Sequence, residues 1–576
     1  MEKCKADHPL CSRSLNSRLP TRIIDVDLIG KTETVYLKET SGLERDPYMT
    51  LSHCWGKEQI ITTTTKTLEK RKSGIKFSEL SNTFRDAIEI TRGLGIQYLW
   101  IDSLCIVQDD KKDWEIESTK MADIYSGSQL NLAATHASGG ADGCFGKRWS
   151  MDIQNQIEIN VGEDVDIPIR PDEGEEEHYN ILVRTALHIA HEHFTRSMDY
   201  ASTLEDVSPL LSRGWVFQER LLSTRALHFH AEELIWECAS GISCECSRLE
   251  EFQGGDPNGL LQLCETNQVK MMFLSMLSPT VTASQLLDTW LEIITEYGAL
   301  KLTKQSDRLP AISGLASRVS EHLAGEYLGG LWSQDIPRAL CWAKGSTTGN
   351  EHPSSRVADS SVPSWSWASI SNHSGDVPGI TYNVPMVAGF EVDTRCQVKD
   401  FHQARSVSNP YGVCADAWLK IEGPLIKASF LSTESPMDQE TIDWAHKHNV
   451  ARYLRMTMSW NEIKFEQETT KFSGDCLDTH GRMTDLSPGD IVYCLLLGHF
   501  KHSQNDILRK YPAQFLNRDE KELLKTKDSS SEVKGAYAIV LVKVNENASY
   551  RRVGFLYQRD GAGWWKNASV NEIILL

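Results

Sequence analysis

No apolar run in this chain of 576 residues is long enough to cross a bilayer. The longest, residues 491–497 and 538–542, fall far short of the roughly 20 residues a spanning helix needs. The opening Met-Glu-Lys-Cys-Lys-Ala-Asp-His has no apolar core of a signal peptide, so cytosolic residence is expected. Basic charge is scarce: 60 Lys and Arg stand against 79 Asp and Glu, a net charge of −19. That balance disfavours a nucleic-acid partner, since phosphate binding draws on clustered cations. The 14 cysteines are too few for a disulfide framework in so long a chain, and a reducing cytosol keeps them as thiols. There is no Walker-type glycine loop, internal repeat, heptad run or low-complexity tract. What remains is an ordinary globular composition, 40% hydrophobic and 24% charged.

Two segments about fifty residues apart stand out: Tyr48-Met-Thr-Leu-Ser-His-Cys-Trp-Gly56 and Tyr98-Leu-Trp-Ile-Asp-Ser-Leu-Cys-Ile-Val-Gln-Asp-Asp110. Each is a short apolar run that stops at polar residues, Ser52 and His53 in the first and Asp102 in the second. Between them Phe84, Ala87, Ile88 and Thr91 recur at helical spacing, and Gly93 and Gly95 end the helix. Strand, crossover helix and strand make a parallel pair, and open α/β sheets hold ligands beyond the carboxyl ends of their strands. Ser52, His53 and Asp102 are therefore expected on one rim. A helix through Trp114, Glu117, Met121, Ile124 and Tyr125 follows, and residues 129–135 read as a third strand.

These same stretches resemble the fungal heterokaryon-incompatibility (HET) domain. The likeness runs through Leu51-Ser-His-Cys-Trp-Gly56, residues 83–110 and residues 113–128, in order and without large gaps. It continues in Leu211-Ser-Arg-Gly-Trp-Val-Phe-Gln-Glu219, Trp236-Glu-Cys238, Asp307-Arg-Leu-Pro310, Tyr327-Leu-Gly-Gly-Leu-Trp332 and Pro363-Ser-Trp-Ser-Trp367, over about the first two thirds of the chain. The resemblance implies a remote kinship with TIR domains, hence a flavodoxin-like parallel sheet, and TIR relatives include enzymes that cleave NAD. Glu117, close after Trp114, matches the TIR catalytic glutamate with one residue of offset. A fixed carboxylate there suits a reaction whose departing nicotinamide leaves a ribosyl cation. The resemblance thus implies Glu117 and Asp102 as catalytic groups and Ser52, His53, Trp55 and Arg213 as substrate-binding groups. Resident cofactors are not expected, and NAD is the expected substrate of a glycohydrolase activity.

The residues also admit plainer roles. Acids at Asp109, Asp110, Asp113, Glu115 and Glu117 suit a helix start through the helix dipole, whatever else they do. Ser52 and His53 are strand neighbours whose side chains point to opposite faces, which opposes a Ser-His-Asp triad. Arg213 and Glu219 are expected to form a buried ion pair, with phosphate binding by Arg213 as the alternative. Trp365 and Trp367 are expected to flank Ser366 on one strand face and anchor domain packing. Cys4, His8 and Cys11 have metal-like spacing, and Cys238, Cys244 and Cys246 lie close together, but neither cluster supplies a fourth ligand nearby. No metal is expected unless the clusters combine with one another or with distant histidines.

The organisation expected is an N-terminal extension (1–47), an α/β HET domain (48–222), a mixed and helical middle region (223–362) and a β-rich C-terminal domain (363–576). Residues 151–210 read as an acidic insertion, 346–362 as a linker and 519–528 as a charged surface segment. The resemblance implies a cytoplasmic effector of non-self recognition and programmed cell death, with self-assembly or other incompatibility proteins as partners. A non-catalytic signalling adaptor, or an accessory protein of a secondary-metabolite cluster, are the alternatives.

Overall fold

The computed structural model describes residues 1–12, 17–29, 32–57, 60–146, 149–152, 157–160, 165–169, 179–183, 194, 207–247, 249, 269–344, 354–357, 362–372, 380–382, 390–404, 406, 409–412, 414–430, 456–457, 470–476, 484–487, 490–503, 532–545, 548–559 and 565–576. Most of the expected insertion and linker, and all of the charged segment at 519–528, lie outside these residues. Two compact units emerge, Met1–Leu274 and Ser275–Leu576.

The first unit is built on a nine-stranded sheet. Its strands are β1 (Arg22–Asp25), β2 (Thr34–Glu39), β3 (Tyr48–Ser52), β4 (Ile75–Lys76), β5 (Tyr98–Ile101) and β6 (Leu130–Ala133). Two hairpins intervene, β7 (Trp149–Asp152) with β8 (Ile157–Asn160) and β9 (Val165–Ile169) with β10 (Tyr179–Val183). The sheet then resumes with β11 (Arg225–Phe229), β12 (Leu234–Cys238) and β13 (Gly241–Cys244). Its order is β13-β12-β11-β6-β3-β5-β1-β2-β4.

β5, β3, β6 and β11 are mutually parallel. Both flanks run antiparallel, through β1–β2 on one side and β12–β13 on the other. The sheet is therefore mixed where a parallel one was expected. The reason lies in chain length: within residues 22–39 and 225–244 the connections are too short for a crossover, which leaves antiparallel pairing, whereas parallel neighbours need crossovers. Within the parallel core the chain order is second, first, third, fourth, so the winding reverses between β3 and β6. A crevice at the strand ends belongs at that reversal.

Burial explains the apolar runs. β3, β5 and β6 are buried at every residue, as strands covered on both faces must be. On one face lies α3 (Asn82–Gly93), whose Ser81 caps the Phe84 amide and whose buried stripe is Thr83, Phe84, Ala87, Ile88 and Thr91. On the other lie α5 (Lys111–Gly127), capped by Asp110 at the Lys112 and Asp113 amides, and α6 (Gly214–Leu222). Tyr48 and Trp100 mark that second face: Tyr48 donates to the Ile124 carbonyl at 2.7 Å, and Trp100 meets Tyr125 edge to face at 5.7 Å.

The second unit is β-rich towards its end, as expected. Strands β14 (Ala415–Phe430), β15 (Ile491–Ser503), β16 (Glu532–Lys543), β17 (Ser549–Arg559) and β18 (Ser569–Leu575) pair in sequence around a ring, and β14 pairs β15 to close a barrel. Its interior includes Ile426, Val492, Leu496, Val540, Val553 and Leu556. Before the barrel, α7 (Ala283–Gly298) buries Leu286, Trp290, Ile293, Ile294 and Tyr297, the apolar face its spacing predicts. Trp365 and Trp367 are buried, but not on a strand: Ser366 caps a 3₁₀ turn at Trp367–Ser369. Among the described residues no helix is long and apolar enough to cross a membrane.

Candidate functional site

Alternation along β3 divides the polar residues at its end. Thr50 and Ser52 point towards α5 and α6, and His53 points towards α3, where its ring meets Phe84 edge to face at 4.9 Å. Ser52 therefore has no triad partner in His53. Its hydroxyl donates to Glu219 of α6 at 2.5 Å and accepts from the Asn131 amide at 3.0 Å. Thr50 in turn donates to the Asn131 carbonyl oxygen at 3.0 Å. A chain of hydrogen bonds thus links β3, β6 and α6 across the reversal of winding. Ser52, Asn131 and Glu219 are all buried.

The carboxyl of Glu219 is pushed up to about 7, first by burial and then by the charge of Asp102, against the opposing hydrogen bonds of Ser52 and Tyr125 and the field of Arg213. Burial likewise raises the Tyr125 phenol well above its ordinary value, with Glu219 and Asp102 adding to the effect. The expected Arg213–Glu219 ion pair is not made. Arg213 instead donates to the His53 carbonyl at 2.9 Å, because the guanidinium precedes α6 while Glu219 lies within it.

Asp102 occupies the tip of β5, where the strand turns into α4 (Asp102–Cys105). It accepts the Trp55 indole N–H at 3.1 Å and the Ser103 amide at 2.6 Å, and its Oδ1 stands 3.7 Å from His53 Nδ1. Its side chain keeps 28% exposure, against 1% for His53. Burial lowers the His53 pKa, outweighing the attraction of Asp102, and Nε2 of the ring has no hydrogen-bond partner. His53, Trp55, Asp102 and Arg213 are thereby linked at one end of the sheet, while Ser52 turns to the opposite face and meets Glu219.

Glu117 belongs to a different set. It is buried on α5, where Lys120 binds its Oε1 at 2.8 Å and also donates to Thr21 at 2.7 Å. Its neighbour one turn earlier, Asp113, pairs with Arg22, which also reaches the Cys105 carbonyl at 2.6 Å. Both groups hold the start of α5 to the β1 side of the sheet. Trp114 packs edge-on against Trp215 at 6.1 Å.

Sequence reading passed over Asn131 and Thr50, placed Tyr125 only on the packed face of its helix, and cast Glu219 only as an ion-pair partner. A signal existed: Asn131 sits between leucines in a fully buried strand, and Glu219 in an apolar helix. Such polar residues must find partners inside.

Residues 48–219 match the model of the family described as Heterokaryon incompatibility protein (HET). The matched span opens at β3 and closes at Glu219, so it encloses the whole hydrogen-bonded chain from Thr50 to α6. Over this span the chain carries a HET domain. Neither the curated proteins nor the solved structures yield a match.

Proposed function

We propose that this chain is a cytosolic effector of fungal non-self recognition that brings on growth arrest or cell death, and that its strand-end rim takes NAD and cleaves it. The family match supports the first part. The order of the parallel core, with its reversal between β3 and β6, is that of flavodoxin-like sheets and supports the remote TIR likeness. The observation that carries the chemistry is Asp102. It is the carboxylate at the strand tips that keeps contact with solvent, oriented by the Trp55 indole. Glu117, the other candidate, is held by Lys120.

In this reading the N-glycosidic bond breaks with its electron pair leaving on nicotinamide, and Asp102 faces the ribosyl cation. Water adds to that carbon and its proton passes to solvent. Trp55 offers a ring face, and Arg213 a guanidinium suited to phosphate. Purified protein incubated with NAD is expected to release nicotinamide, and Asp102→Asn to lower the rate about 100-fold. Glu117→Gln should leave most of it. Absence of release from assembled protein, or full activity in Asp102→Asn, defeats the catalytic part.

One observation favours a second reading, an adaptor that assembles with itself or with other incompatibility proteins without turnover. Ser52, His53 and Glu219 are sealed from solvent, and a sealed network serves rigidity as well as chemistry. Toxicity on expression that survives Asp102→Asn supports the adaptor.

A further inference from the structure

Cys4, His8, Cys11 and Cys238 offer three thiol sulfurs and one imidazole nitrogen, all within 4.8 Å of one another. The spacing of the first three residues lacked a fourth ligand, and the fold supplies it from the far end of the first unit. Cys4 lies on α1 (Glu2–Asp7), and His8 follows four residues later on the same side. Pro9 opens a 3₁₀ turn over Pro9–Cys11 that brings Cys11 back beside them. Cys238 ends β12, just before the two-residue turn Ala239-Ser240 that leads into β13.

We infer that these four residues form a structural zinc site. Tetrahedral zinc, with bonds of about 2.3 Å to sulfur and about 2.0–2.1 Å to nitrogen, sets neighbouring donors about 3.5–3.8 Å apart. Cys238 Sγ stands 3.4 Å from His8 Nδ1, within a tenth or so of that edge. The donor set is soft and closed, three thiolates and an imidazole, which selects zinc over oxygen-seeking cations. The three cysteines are buried and His8 is half-buried, so the centre is shielded from solvent.

The surroundings fit a metal thiolate. The Ser240 amide points at Cys238 Sγ from 3.5 Å, and Ser240 Oγ stands 3.9 Å from Cys11 Sγ. Zinc with three thiolates carries a net negative charge, and two buried cations are at hand. Arg225 donates to the Cys11 carbonyl, and the field of Lys270 reaches Cys238 and Cys11. Outer contacts of this kind orient ligands and tune their charge. Bound zinc pins the first eleven residues to the β12–β13 edge of the sheet, at the amino-terminal end of the neighbouring parallel strand, whereas Asp102 lies at the carboxyl end of β5. The inference is thus independent of the NAD reading. A second group, Glu233, Cys244 and Cys246, also gathers, but it holds three donors.

The test is the metal content of the full chain, purified under reducing conditions and desalted. One zinc per chain is expected by elemental analysis, with Cys246→Ser retaining it and Cys238→Ser losing at least four fifths. His8→Ala, at a half-buried position, serves if the cysteine variant fails to fold. Cobalt exchanged into the wild type is expected to give the strong visible bands of a tetrahedral thiolate centre. Wild-type protein with free thiols and less than about a fifth of an equivalent of zinc overturns the inference. So does zinc that leaves with Cys246→Ser and stays with Cys238→Ser, or a disulfide among Cys4, Cys11 and Cys238 in the reduced preparation.

Discussion

Glu219 is a carboxylic acid held away from water by α6, with a serine hydroxyl as its hydrogen-bond donor. Its folded pKa of about 7 lies above the ordinary 4.5, so between those values the native state keeps a proton that the unfolded chain has released. Stability from this group is therefore fully present below pH 4.5 and is lost as pH rises through about 7. Glu219→Gln keeps the shape and removes the titration. Measured by urea unfolding at pH 5 and pH 8, the variant should gain on wild type by about 3 kcal/mol at most over that interval. A stability difference that is the same at both pH values shows that the carboxyl is not raised. The partner of Glu219 was not legible in the sequence, because Ser52 and Glu219 are 167 positions apart and only the fold brings them together. Asp102 was legible, since an apolar run that ends in an acid marks a strand tip.

Elements were read best where periodicity is strong. The helical spacing of Phe84, Ala87, Ile88 and Thr91 becomes the buried stripe of α3, and the spacing of α7 fares equally well. Of the antiparallel flanks, residues 22–27 and 35–37 already read as a small hairpin or edge strands, whereas the β12–β13 side was missed, because strand direction leaves no mark in a short apolar run. Trp365-Ser-Trp367 was misread for a related reason: alternation suggests a strand, but the serine hydroxyl binds the Ala368 amide and starts a turn. What those tryptophans do is fixed by the glycines at 329 and 330. Both have positive φ, 51° and 95°, and form the two-residue turn between Tyr327–Leu328 and Leu331–Trp332. The Gly330 carbonyl accepts the indole N–H of Trp290 and of Trp367, each at 3.2 Å. A methyl group on Gly330 meets the Trp367 indole itself. Gly330→Ala is thus expected to cost about 2–4 kcal/mol, from the backbone conformation and the displaced ring together. Thermal unfolding with tryptophan fluorescence reads both effects, and an unshifted midpoint refutes them.

At the scale of the whole molecule, a buried cation holds several described segments of the second unit together. Arg552, fully buried on β17, donates to the carbonyls of Leu340 and Trp342 at 2.6 Å each and lies 3.3 Å from the centre of the Trp342 ring. Its charge is answered by Asp475, which is 3.2 Å away and 1% exposed. Arg356 reaches the same carboxylate at 3.2 Å. One acid therefore serves two arginines and ties the barrel to residues 340–342 and 356, a connection that no composition or spacing announces. Burial pushes the Arg552 pKa down while Asp475 holds it up, so the pair is costly to assemble and costlier to break. Asp475→Asn keeps the volume and leaves the Arg552 guanidinium without a counter-charge in the interior, while half-buried Arg356 retains Asp485 at 3.8 Å. The loss should be about 3–5 kcal/mol, well beyond that of an exposed ion pair such as Lys111–Glu115, whose removal is worth about 0.5 kcal/mol or less. Denaturant unfolding of the two variants side by side decides the matter: equal small losses mean that Asp475 does not neutralise the buried Arg552. A large loss confined to Asp475→Asn places this ion pair among the chief determinants of the second unit's stability.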